Sequence, residues 1–73
     1  MEKEMAFVIF CIENYKVHRN LSGKETVKLF DDYGVLNYLE NHYDVLYSTG
    51  YQFMNKDIDE FLEIRGFVPE SKN

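Results

Sequence analysis

Seventy-three residues at 45 % hydrophobic and 16 % aromatic content suit one small folded domain, because a chain this short buries only about 60 % of its unfolded surface and cannot support two cores. Thirteen Asp and Glu against eight Lys and Arg give a net charge of −5, a field that repels nucleic acid and anionic membrane. One cysteine excludes an internal disulfide framework, and the uncharged apolar run Met5 to Ile12 is too short to span a bilayer.

The apolar setting of Cys11, between Phe10 and Ile12, reads as a buried thiol in a reducing compartment, so a soluble cytoplasmic protein is expected. A basic n-region and a small-residue cleavage site are both missing, so no signal peptide is expected.

The first predicted helix runs from about Lys3 to Arg19. At 100° per residue, Met5, Val8, Ile9, Ile12 and Tyr15 share one face, which is assigned to the core. Ala6, Phe7, Phe10 and Val17 fall on the other side, interrupted by Glu13 and Asn14, so the first half is apolar nearly all round and something must cover its back. A buried strand over Phe7 to Ile12 is the competing reading; length and the period continuing into Tyr15 favour helix. Lys16, His18 and Arg19 complement the dipole at the helix end. With Lys24 and Lys28 the same stretch could also be read as a phosphate-contact patch, whereas Asp31 to Glu63 holds eight acids and one Lys.

Asn20 suits a left-handed terminator, and Ser22-Gly23-Lys24-Glu25 has the form of a capping box that starts a second helix. Thr26, Val27, Leu29, Phe30 and Tyr33 are expected inward, Lys28, Asp31 and Asp32 outward, with Gly34 as the stop. A third helix is predicted over Val35 to Tyr47, with Val35, Leu36, Leu39, Tyr43, Leu46 and Tyr47 on one side and Asn37, Glu40, Asn41 and Asp44 on the other. Ser48, Thr49 and Gly50 break that period, and Tyr51 to Met54 alternate like a short extended segment. Asn55 is read as the cap of a fourth, shorter helix with Asp57 and Asp59 near its positive end and Ile58, Phe61 and Leu62 inward. Gly66 stops it, and Phe67 to Asn73 form a frayed tail. The expected fold is an all-α compact bundle of three main helices plus a short fourth, one domain over residues 1–73 with an ordered core at about 3–66.

Chemistry finds little support. Cys11, His18, His42 and Asp44 lack the paired spacing of a zinc site, and a Cys-His catalytic pair would need Cys11 exposed beside a base. Asp57-Ile58-Asp59-Glu60 lacks the ligand ladder of a calcium loop, and the four Gly stand singly rather than in a phosphate-cradling loop. No catalytic residue, cofactor or metal is therefore assigned. Helices two and three with the Tyr33-Gly34 turn could form a helix-turn-helix, but the reading helix would present Asn37, Glu40, Asn41 and Asp44 with no Arg. The tyrosines Tyr43, Tyr47 and Tyr51 fall along one ridge, and with Phe7, Phe10 and Val17 they exceed what so small a chain easily hides. Large residues filling a tiny core is the alternative reading; an interface formed by these six is the functional one.

Five stretches, Phe10 to Tyr15, Leu21 to Glu25, Tyr33 to Leu36, Tyr43 to Leu46 and Asp57 to Phe61, together resemble a small bacterial domain family of uncharacterised function over about residues 7 to 65. Members of that family are short proteins often encoded near ADP-ribosyltransferase-like proteins, in toxin-antitoxin-like or phage-defence arrangements. The resemblance implies a binding partner rather than a reaction, and transfers no catalytic residue. The expectation is a non-enzymatic protein-protein interaction module, antitoxin-like, with an ADP-ribosyltransferase-like toxin as a possible partner. A helix-turn-helix regulator and a structural homodimer are the alternatives. Here Tyr51 to Met54 is more hydrophobic than the polar segment expected of the family.

Overall fold

Local signals divide the first half of the chain. In a computed structural model, which describes residues 3–49 and 53–68, α1 (Lys3–Arg19) ends at Asn20, whose φ of 56° places it in the left-handed region. There the Asn20 N–H donates to the Val17 carbonyl at 3.2 Å and the Leu21 N–H to the Lys16 carbonyl at 2.9 Å, which satisfies carbonyls left open at the helix end. The capping box forms as its residues dictate: the Glu25 N–H donates to Ser22 Oγ at 3.0 Å, and the Ser22 N–H to Glu25 Oε1 at 2.9 Å. It opens α2 (Gly23–Asp32), where the buried Thr26 hydroxyl donates to the Ser22 carbonyl and so carries no unmet bond into the core.

Gly34, at φ 76°, turns the chain into the next segment. The single helix expected over Val35 to Tyr47 is instead two, α3 (Val35–Asn41) and α4 (Tyr43–Thr49), separated at His42 with φ −114° and ψ 21°. The Tyr38 carbonyl accepts the His42 backbone N–H at 3.1 Å and also lies 3.0 Å from His42 Nδ1. The imidazole thus folds back on the previous turn, and the helix restarts with Leu46 N–H on the His42 carbonyl at 2.9 Å. No Gly or Pro marks this break, so hydrophobic periodicity runs straight through it.

The last helix, α5 (Met54–Ile64), begins one residue before the expected cap. Phe53 occupies the cap position without a side-chain bond, and Asn55 sits inside the first turn with a buried Oδ1 that has no partner among the described residues. Met54, expected in an extended segment, is a buried helical residue; Tyr51 and Gln52 lie outside the described residues. Gly66, at φ 94°, ends α5 through Gly66 N–H on the Glu63 carbonyl and Phe67 N–H on the Leu62 carbonyl. That geometry brings Phe67 back onto Tyr33, with ring centroids 5.3 Å apart, so Phe67 packs against the core rather than beginning a tail.

The described residues are all-α, and α1 packs against α2, α3 and α5 around one contiguous core. Tyr15, Phe30, Val35, Leu39, Ile58 and Leu62 are its fully buried large members. The buried side of α1 is Phe7, Val8, Cys11 and Tyr15; of the face assigned from the sequence, Val8 and Tyr15 are buried and Ile12 packs partly buried against the core. Met5 and Ile9 are exposed and Phe7 is core; Val27, expected inward on α2, is likewise exposed. A helix apolar on nearly every side has no preferred face of its own, so its neighbours choose one.

Candidate functional site

From Met5 to Ile12 α1 carries no charge, and its outer side in this stretch remains open to solvent. Met5 is 51 % exposed, Ile9 43 % and Phe10 39 %, with Ala6 exposed among them. The redirection at His42 brings α4 against this region. Phe7 meets Tyr43 edge-on at 5.3 Å and Tyr47 at 6.4 Å, while Tyr43 and Tyr47 stack on each other at 5.4 Å. Between the helices lies an open groove of about 260 Å³ lined by Lys3, Ala6, Phe7, Phe10, Tyr43 and Tyr47.

The one charged residue in the lining of this groove is Lys3. The Tyr43 hydroxyl is held above its ordinary pKa by desolvation first, then by Tyr47, Glu4 and Asp44.

Four of the six residues expected to bind a partner are brought together here: Phe7, Phe10, Tyr43 and Tyr47. Phe7 corrects the expectation in part, because it is buried as the wall of the groove and contributes to the core. Val17 is 77 % exposed but two turns further along α1, outside the groove lining. Tyr51 lies outside the described residues. Sequence reasoning missed Met5 and Ile9, which it had assigned to the core; the signal was available in the all-round apolarity of α1, which leaves whichever face is not chosen uncovered.

A second constellation joins distant residues. Asp59 accepts from the Tyr15 hydroxyl at 2.6 Å and from Arg19 Nη2 at 2.8 Å, and His18 Nε2 lies 3.0 Å from its other oxygen. Burial works against the Asp59 charge, but the bonds from Tyr15, His18 and Arg19 outweigh it and hold the carboxyl below its ordinary pKa. Desolvation and the Asp59 bond push the Tyr15 hydroxyl up to about 12, while the ring is fully buried. A phenol so placed is a poor base or nucleophile at neutral pH, and the arrangement acts as a tie between α1 and α5. His18 and Arg19 stand in the last turn of α1, as expected, and make this tertiary contact as well.

The remaining candidates separate. Cys11 is fully buried, and burial pushes its thiol up to about 12, which makes it an unreactive packed side chain. Among the described residues no three His, Cys, Asp or Glu gather as a metal group, and no helix is long and apolar enough to cross a membrane. The basic stretch is largely answered by carboxylates: Lys16 pairs with Glu13 at 2.8 Å, Arg19 with Asp59, and Lys28 with Asp32 at 3.2 Å. As a reading helix α3 would present Asn37, Glu40 and Asn41 from seven residues, with no cation.

No curated protein and no solved structure matches the chain significantly. A family described as proteins of unknown function, DUF3791, matches residues 6–65, a span from the first turns of α1 to the end of α5, and the chain belongs to that family.

Proposed function

We propose that the chain is a non-enzymatic interaction module that docks another protein through the outer side of α1 and the adjoining α4 groove. The observation that supports this reading is the cluster of Met5, Ile9 and Phe10, each more than a third exposed, beside the stacked pair Tyr43 and Tyr47. Contiguous apolar surface on a small domain costs solubility unless another surface covers it. The resemblance stated above suggests a neutralising, antitoxin-like role toward a larger ADP-ribosyltransferase-like protein. A cytoplasmic setting goes with that role, supported by a single cysteine kept as a thiol.

Site-specific photo-crosslinking in the producing cell tests the reading. A photoreactive phenylalanine at position 9 is expected to trap one discrete partner, and the same probe at Lys24 or Glu63 none. Equal trapping at all three positions, or none at position 9, would contradict it. Relief of a co-produced ADP-ribosyltransferase-like toxin by the natural chain, lost in Ile9→Lys, tests the antitoxin role.

A further inference from the structure

Along α2, Lys24, Val27, Lys28 and Asp31 fall at i, i+3, i+4 and i+7, one stripe of the helix, and all four are exposed. With Asp32 and Leu36 they line a shallow groove of about 670 Å³ whose charges are two Lys and two Asp. These charges run against the helix dipole. Lys24 stands in the first turn of α2, at its positive end, and Asp31 and Asp32 in the last turn, at its negative end; Glu25, engaged in the capping box, is the exception. Lys28 answers Asp32 within the helix at 3.2 Å, whereas Lys24 and Asp31 enter no ion pair among the described residues.

We infer that this stripe is a two-fold interface with a second copy of the chain, the two α2 helices running antiparallel and crossing near Val27. Reversing one helix on the other brings Lys24 of each copy beside Asp31 of the other, and the two-fold axis makes that pair occur twice. The same reversal lays the positive end of one dipole along the negative end of the other, so each charge that opposes its own helix meets a helix end of favourable sign. Val27, 43 % exposed at the middle of the stripe, supplies the apolar contact with Leu36 beside it. The net −5 of each chain opposes association. At about 0.15 M salt, however, charges more than about 8 Å apart are largely screened, and the pairs in contact decide. Exposed ion pairs are individually weak, so the dimer is a weak one. No residue lines both this groove and the α1–α4 groove, so the pairing uses none of the residues proposed to dock another protein.

The test is sedimentation equilibrium of the full chain at about 0.15 M salt and up to about 1 mM protein, where a weak dimer is populated. The natural chain is expected to show a monomer–dimer equilibrium. Lys24→Glu and Asp31→Lys each turn two attractions into two repulsions and are expected to raise the dimer Kd at least about tenfold. Mixed in equal amounts, the two variants are expected to recover the natural Kd within a few-fold, because both contacts between them again join opposite charges. Each reversal agrees with the α2 dipole, so neither removes the helix. They also move the net charge in opposite directions from −5, so general repulsion does not account for both losses. A natural chain that stays monomeric, a dimer indifferent to both reversals, or a mixture no tighter than its components would overturn the inference. Dilution-dependent amide shifts at Met5, Ile9 and Phe10 rather than at Lys24, Val27 and Asp31 would give the pairing to α1 and overturn it too.

Discussion

Asp59 holds α5 to the C-terminal end of α1 with one carboxylate serving three side chains, Tyr15, His18 and Arg19. Replacing it by Asn keeps the shape but removes the charge, and is expected to cost about 1–3 kcal/mol, toward the lower end because Arg19 and His18 are partly solvated. The pH dependence has a definite sign. Folding lowers the Asp59 pKa from its ordinary 3.8, so the folded state binds fewer protons there. The contribution is complete above that ordinary value and is lost as pH falls through the lower native one. Urea unfolding of the natural chain and Asp59→Asn should therefore differ most near neutrality and converge in acid. On the alkaline side the sign reverses. Cys11 and Tyr15 stay protonated from ordinary values of 9.0 and 10.0 up to about 12, so their contribution is intact below the ordinary values and lost as pH rises toward 12. A thiol reagent added to folded protein should react with Cys11 only as fast as the chain opens; prompt stoichiometric reaction would place that sulfur at the surface.

At the level of the helices, what could be read beforehand was what acts within a few residues. Ser22 and Glu25, Asn20, Gly34 and Gly66 each satisfy or release backbone groups three to five positions away, and the segments begin or end beside them. Ser22→Ala is expected to lower stability by about 1 kcal/mol in urea unfolding, with Lys24→Ala close to neutral as its control. The break at His42 was hidden because a side chain folding back on the Tyr38 carbonyl leaves the apolar period of Val35, Leu39, Tyr43 and Leu46 undisturbed. The face of α1 was legible only in part, at Val8, Ile12 and Tyr15, for a different reason. Apolar residues on nearly every side give no moment to read, and the rotation is set from outside by Asp59 at one end and by Tyr43 and Tyr47 at the other. Asp59 itself gave no local signal, since its partners lie some forty positions away in the sequence.

Taken as a whole, the described residues close the core with one side of α1 and leave much of the other side exposed. The aromatic surplus noted in the composition was real, but it divides: Phe7 turns inward, Phe10 and Tyr47 stay partly in water, and Met5 and Ile9 replace Phe7 on the outer face. The proposed docking face thus lies a fraction of a turn from where the sequence placed it, because Phe7 and Ile9 exchange burial. The most direct test is the unfolding free energy of the double variant Met5→Lys, Ile9→Lys beside that of Phe7→Ala. If the outer face awaits a partner, the double variant stays within about 1 kcal/mol of the natural chain, whereas Phe7→Ala loses about 3–5 kcal/mol. A loss in the double variant as large as that in Phe7→Ala would mean that Met5 and Ile9 are part of the core, and the docking face would not exist.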